Sequence, residues 1–186
     1  MAGMNAAARF YSVFPAGDFG VPFAPPDVDS VGLIPDRGEM TSWTPLELAV
    51  KPGEWEGPLA DYVNSNLTIR LCSRRLKDLL DGLRSEDDNV QWLPAYVTDL
   101  GGNREEYFVL HFPAPPDVLN LEPGETIYDD ESGVLIRPCV SRRKATNRRL
   151  FNIPGLYTAT IVHETIKQAL EAAGIQGIEC SPIRTR

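Results

Sequence analysis

Catalysis or metal binding by this chain would depend on its two histidines and three cysteines. The spacing of the two histidines predicts neither a catalytic site nor a metal site. His163 and Glu164 begin a His-Glu-x-x-His pattern, but Lys167 stands where a zinc motif needs its second histidine. His111 falls at the end of a predicted strand, where we expect a buried and hydrogen-bonded structural histidine. Neither histidine therefore predicts a metal or a cofactor.

The cysteines also lack the spacing of a ligand set, since Cys72, Cys139 and Cys180 contain no Cys-x-x-Cys pair. Cys72 and Cys180 lie in predicted strands, where a free thiol packs as a small apolar group. Three unpaired cysteines are typical of the reducing cytoplasm. A cysteine nucleophile needs a nearby base. One alternative therefore stays open, a small-ligand-binding protein or hydrolase-type enzyme with a pocket near His163 and Cys180, lined also by Glu164.

Charge favours a protein partner over a nucleic acid. The net charge is −8, yet residues 137–149 hold six basic side chains and no acid. Nucleic-acid binding needs clustered basic residues on a surface that is not otherwise acidic. An acidic surface with one basic strip instead favours steering of a charged protein. No apolar run reaches a membrane span, and the start has no secretory leader, so we expect a cytoplasmic protein.

Exposed charge and one tryptophan mark the expected contact surface. The acidic groups 86–88 and 129–131 fall in predicted loops, and the basic strip falls between predicted strands. Trp55 lies between two glutamates beside Pro52 and Gly53, where a partly exposed tryptophan would suit a binding hot spot. The candidate partner-binding residues are Trp55, Glu86, Asp87, Asp88, Asp129, Asp130, Glu131, Arg142, Arg143, Lys144, Arg148 and Arg149.

The elements that would position these residues include a repeated unit. Residues 67–71 and 157–161 each read as a strand, and each leads into an amphipathic helix with apolar residues at i, i+3, i+4 and i+7. Ser73 is a good N-cap for the first helix, whereas His163 is a weaker cap for the second. Each copy closes with an alternating stretch that ends in proline. The pattern predicts an α+β fold, a largely antiparallel sheet with two principal helices, built from two pseudo-repeated strand–helix–strand modules.

The remaining pattern predicts hairpins and one domain. Three pairs of strand-like segments flank turn residues: 95–98 with 107–112, 126–128 with 134–136, and 150–153 with 157–162. Residues 1–42 are rich in glycine and proline and predict an irregular N-terminal arm packed on the domain, with one edge strand at residues 9–14. Residues 43–186 are predicted to form a single α+β domain.

Several segments also occur in an order that resembles a known family. They are Trp43-x-Pro45, Gly57–Tyr62, the helix Ser73-x-x-Leu76-Lys77-x-Leu79-Leu80, Val90-x-Trp92-Leu93-Pro94, Tyr107–Leu110, Asp117–Leu119, Leu150-Phe151 and Ala169–Glu179. Between residues 43 and 183 the chain resembles a family, formerly a domain of unknown function, that is grouped with the immunity proteins of bacterial polymorphic toxin systems.

That resemblance implies a stoichiometric role and no catalytic residue. An immunity protein binds a cognate toxin and blocks its active site or a nearby surface. Many such toxins are basic enzymes, and an acidic inhibitor would associate with them faster through complementary charge. A second alternative is a homo-oligomeric scaffold, and a homodimer is compatible with either reading.

Overall fold

The strands of the protein divide between two principal sheets. The computed structural model describes residues 9–28, 33–54, 56–67, 69–129, 131–153 and 160–186. Strands are numbered along the chain. The six-stranded sheet contains β2 (Pro22–Phe23), β3 (Leu46–Val50), β4 (Tyr62–Asn64), β5 (Arg70–Ser73), β6 (Gln91–Thr98) and β7 (Arg104–His111). The five-stranded sheet contains β1 (Phe10–Pro15), β10 (Cys139–Val140), β11 (Leu150–Asn152), β12 (Thr160–His163) and β13 (Ile178–Thr185).

The chain is thus a mixed α/β protein dominated by strands, with several sheets where one is expected from the sequence. A separate two-stranded sheet pairs β8 (Ile127–Tyr128) with β9 (Leu135–Arg137). Two helices, α1 (Arg74–Leu83) and α2 (Glu164–Ala172), complete the described elements. Neither of these helices is long and apolar enough to cross a membrane.

Strand order is similar in the two principal sheets. The six-stranded sheet runs β2-β3-β6-β7-β5-β4, and the five-stranded sheet runs β10-β13-β1-β12-β11. Because β5 and β6 are both antiparallel to β7, they run parallel to each other with β7 between them. In the same way β12 and β13 run parallel on either side of β1. Parallel pairing among the described strands is confined to β3 with β6 and β10 with β13.

The three expected hairpins pair as their sequences predict. Strands β6 and β7 pair over their whole length, from Gln91 opposite His111 to Thr98 opposite Arg104. Strands β8 and β9 pair with an irregularity in register, and β11 pairs with β12. The Pro154-Gly155 turn expected between the last two lies outside the described residues.

The N-terminal strand is central, so the expectation of an edge strand is wrong. β1 lies between β12 and β13, with Phe10 opposite both His163 and Ile183. Phe10 and Val13 are almost fully buried. Proline interrupts a central ladder, but Pro15 is the last residue of this strand and leaves the preceding amides free to pair. The glycine- and proline-rich segment that led us to expect an edge strand lies after β1, in the connection to β2.

The helices share one core with both sheets. Leu76 and Leu80 of α1 are buried in the same cluster as Ile166 and Leu170 of α2. This cluster also contains Val13, Tyr62, Cys72, Phe112, Leu150 and Val162. The start of α1 lies close to the end of α2, since the Arg75 side chain donates to the Ala173 carbonyl. The expected Ser73 cap is present, with its hydroxyl accepting from the Leu76 amide at 3.2 Å.

Candidate protein-binding surfaces

The β8–β9 hairpin and the segment just before it contain four exposed large apolar residues. Leu121, Tyr128, Val134 and Ile136 are 64%, 43%, 56% and 60% exposed. Leu135, between the last two, is only 4% exposed and packs in the core with Val118, Leu119 and Val140. Val134 and Ile136, which flank Leu135 in the sequence, are exposed, and Tyr128 lies opposite Leu135 at the point where the register shifts. The hairpin is therefore anchored by one residue while presenting the others to solvent.

Acidic residues at the hairpin turn lie beside this apolar surface. The Asp129 carboxylate accepts hydrogen bonds from the Ser132 amide at 2.8 Å and the Ser132 hydroxyl at 2.7 Å. These bonds favour the charged form and hold the pKa of Asp129 below its usual value. Glu131 is exposed in the same turn, and its amide also donates to Asp129. We define the hairpin patch as Leu121, Tyr128, Asp129, Glu131, Val134 and Ile136.

Two candidate residues lie outside the described part of the chain. They are Trp55 and Asp130, and their roles in partner binding stay predictions. The apolar members of the hairpin patch, in contrast, are absent from the candidates chosen from the sequence. A signal for them exists in Val134-Leu135-Ile136, because three successive apolar residues in a short strand cannot all point to one side.

The structure brings the acidic loop 86–88 together with the end of the basic strip. Glu86, Asp87, Arg148 and Arg149 line one open cleft of about 440 Å³. The cleft lies between the loop that follows α1 and the segment that precedes β11. We call it the charged cleft, and its lining residues are Ser85, Glu86, Asp87, Thr146, Asn147, Arg148, Arg149 and His163.

Asp88 is buried, so the exposure expected of it is wrong. Its side chain is 2% exposed. The carboxylate accepts hydrogen bonds from the backbone amides of Ser85 at 2.7 Å, Arg149 at 3.1 Å and Leu150 at 3.0 Å. A carboxylate loses solvation on burial and needs such donors to compensate. Asp88 therefore ties the loop after α1 to the start of β11.

The rest of the basic strip lies in the turn between β10 and β11, where Arg142, Arg143 and Lys144 are exposed. Arg142 donates to the Thr185 hydroxyl at 3.3 Å. The Lys144 ammonium forms an ion pair with Asp117 at 3.0 Å. The strip is therefore divided between this turn and the charged cleft.

The histidines have structural partners. His111 is buried, and its Nε2 donates to the Gly38 carbonyl at 2.8 Å, as expected of a structural histidine. His163 caps α2, its Nδ1 accepting from the Thr165 amide at 3.2 Å. Burial, and then the positive charge of Arg149, lower the pKa of His163. A lowered pKa favours the neutral ring, and the bond from the Thr165 amide selects the tautomer in which Nδ1 accepts.

His163 and Cys180, the residues of the alternative pocket, lie on two strands that are separated by β1. His163 lies opposite Phe10, and Cys180 lies opposite Val13 on the far side of β1. Two strand spacings and three residues of rise separate their Cα atoms by about 14 Å. Burial raises the pKa of the Cys180 thiol, which disfavours the thiolate. Across the part of the chain that the structure describes, no three His, Cys, Asp or Glu side chains are grouped to hold a metal ion.

Comparisons with known proteins add no assignment. No family model matches the chain. No curated protein matches it either. The resemblance to the immunity-protein family stays a prediction that rests on the ordered segments of the sequence.

Proposed function

We propose that this protein acts by binding another protein, as an immunity protein that neutralises a cognate bacterial toxin. The hairpin patch is the observation that supports it best. Apolar side chains exposed together on a soluble protein commonly mark an interaction site. Here four large apolar residues in and near the hairpin are exposed, close in the sequence to carboxylates, on a chain whose net charge is −8. The partner that fits is a basic protein with an apolar pocket.

The apolar and acidic parts of the patch would act at different stages of binding. Complementary charge accelerates encounter, and this acceleration weakens as salt screens the charges. Buried apolar and aromatic side chains supply most of the energy that slows dissociation. Tyr128 suits an anchor, since it combines a large apolar ring with a hydroxyl. The Asp129 turn restrains the hairpin before binding, which reduces the entropy lost on association.

Co-expression tests the proposal directly. The gene immediately upstream would be induced in a host cell, with and without this protein, while growth is followed and the pair is co-purified. Growth arrest that this protein relieves, with recovery of a stable complex, supports the immunity role. Arrest without rescue or binding counts against it, as does a gene product that causes no arrest.

Interface variants then test the surface. Replacing both Tyr128 and Ile136 with alanine should weaken toxin binding about 30-fold, the equivalent of about 2 kcal/mol. Leu100→Ala removes a comparably exposed apolar residue, 46% exposed in the β6–β7 turn, and should change affinity less than about twofold. Titration calorimetry measures both, and circular dichroism checks folding. Equal affinities for the two variants would place the interface elsewhere. A self-association that the double variant abolishes would instead favour the homo-oligomeric scaffold.

A cytoplasmic location belongs to the same proposal. Cys72, Cys139 and Cys180 are all free thiols, and the first two are buried. Unpaired cysteines persist in a reducing compartment. A stable thiol count after purification under air, compared with that of freshly lysed cells, would test whether the thiols are protected by burial alone.

We also propose that the two principal sheets are copies of one module. In this scheme β3, β4, β5, α1, β6 and β7 correspond to β10, β11, β12, α2, β13 and β1. The matched strand orders support it, and so does a shared backbone bond at the start of each helix. The Ser73 amide donates to the backbone carbonyl of Asp61 at 2.7 Å, and the His163 amide donates to the backbone carbonyl of Arg149 at 2.8 Å. The second copy would then be completed by the N-terminal strand.

A further inference from the structure

The charged cleft is lined by side chains of both charges, and these side chains do not form ion pairs with one another. Glu86 and Asp87 stand on one wall, and Arg148 and Arg149 on the other. Among the residues that the structure describes, none of these four side chains forms an ion pair within 4.0 Å. Elsewhere on the surface, lysines and arginines such as Lys77 and Arg104 do pair with nearby carboxylates.

The walls of the cleft are held in place by bonds that leave these charges free. The buried Asp88 carboxylate binds the amides of Ser85 and Arg149, one on each wall. One guanidinium nitrogen of Arg149 donates to the Leu83 carbonyl at 3.3 Å, which leaves its other donors available. Hydrogen bonds to Asp88 therefore fix the two walls of the cleft relative to each other.

His163 adds a neutral donor to the basic wall. Its Nδ1 accepts from the first turn of α2, so the ring proton resides on Nε2. The lining then contains two cations, two anions and one neutral N–H donor. A lone anion or a lone cation would meet as much repulsion as attraction there.

The corresponding position beside α1 is filled by the chain itself. There the Asp61 carboxylate accepts from the Ser73 hydroxyl at 2.7 Å, the backbone N–H of Gln176 at 3.0 Å and the Arg75 guanidinium at 3.3 Å. Asp61 precedes β4 as Arg149 precedes β11. Beside α1 the Asp61 carboxylate occupies this position. Beside α2 the corresponding residue is Arg149, and the charged cleft lies in front of its guanidinium.

We propose that the charged cleft binds a small zwitterion of the amino-acid class, a free amino acid or a short peptide. The ligand carboxylate binds Arg148, Arg149 and the His163 Nε2–H. The ligand ammonium binds Glu86 and Asp87. The open cleft of about 440 Å³ has room for a molecule of this size. Arginine suits the carboxylate, because its fork of donors matches two oxygens at once.

Titration calorimetry with defined probes tests this proposal. The probes are the twenty L-amino acids and L-alanyl-L-alanine, compared with N-acetyl-L-alanyl-L-alanine and L-alanyl-L-alanine amide. At least one zwitterion should saturate the protein below about 10 mM. Blocking either charged end of that ligand should weaken binding at least about tenfold. Absence of saturation by every probe, or equal binding of the blocked compounds, would overturn the proposal.

Charge-neutral variants locate the site. Glu86→Gln with Asp87→Asn, and separately Arg148→Gln, should each weaken the zwitterion at least about tenfold. Arg137→Gln is the matched control, since it removes an exposed arginine of the 137–149 segment outside the cleft, and should leave affinity unchanged. Unaltered binding in the cleft variants would place the ligand elsewhere. Because the hairpin patch is not changed, failure here is distinguishable from failure of the toxin-binding proposal.

Discussion

Replacing Asp88 with alanine tests whether one buried carboxylate joins the loop after α1 to the second sheet. Asp88 is 2% exposed and accepts from the amides of Ser85, Arg149 and Leu150. Alanine removes the acceptor and leaves these donors without their partner. The nearest matched position is Asp87, which has the same side chain, is exposed, and adjoins Asp88 in the same loop.

The size of the effect follows from the number of buried donors. A hydrogen bond to a charged acceptor contributes about 1.5–3 kcal/mol net, and an unpaired buried donor costs about 1–3 kcal/mol. Ser85 borders the open cleft, so water can replace the carboxylate there, whereas Leu150 is fully buried. Counting two donors instead of three, Asp88→Ala should lower the free energy of unfolding by about 3–5 kcal/mol. Asparagine keeps one acceptor oxygen, so Asp88→Asn should lower it by about 1–2 kcal/mol.

Urea denaturation followed by far-ultraviolet circular dichroism measures these differences. Asp87→Ala should change the free energy of unfolding by no more than about 0.5 kcal/mol. The reasoning is refuted if Asp88→Ala unfolds at the same urea concentration as Asp87→Ala. It is also refuted if the asparagine variant is less stable than the alanine variant, because the retained oxygen would then contribute nothing to the free energy of unfolding.

Three further predictions concern other elements. Burial holds the pKa of His163 below its usual value, so its cap on α2 is present above about pH 6.5 and is lost as the pH falls toward the folded-state pKa. His163→Asn supplies a cap that does not titrate and should reduce the fall in thermal midpoint between about pH 7.5 and 5.5; an unchanged pH dependence would exclude His163 as its source. Gly177→Ala should lower the free energy of unfolding by about 3 kcal/mol, against about 1 kcal/mol for Gly174→Ala, in urea titrations. Both glycines have positive φ, but only at Gly177 would the added Cβ approach the Tyr62 carbonyl oxygen, at 2.4 Å, so equal losses would contradict the clash. Moving residues 9–16 to the carboxyl end through a short linker should preserve one cooperative transition in calorimetry, with a midpoint within about 5 °C of the parent; loss of that transition would contradict the module scheme.

Local pattern was sufficient for the helices and hairpins. The spacing of Leu76 and Leu80 predicts the buried stripe of α1, and Ser73 predicts its cap. Alternation around a glycine-containing turn predicts β6 and β7 as a pair. These features depend on residues within a few positions of one another, so the sequence alone specifies them.

Long-range packing decided the rest. β1 is central because it pairs with β12 and β13, which lie about 150 and 170 residues away along the chain, and no local pattern records that pairing. The same holds for the charged cleft, where the loop at Asp87 meets Arg148 only when the two sheets share a core. Asp88 and Glu86 look alike in the sequence, yet one is buried and one exposed. Local spacing determined the two helices and the three hairpins, whereas burial of a common core determined which charges and apolar side chains remained at the surface.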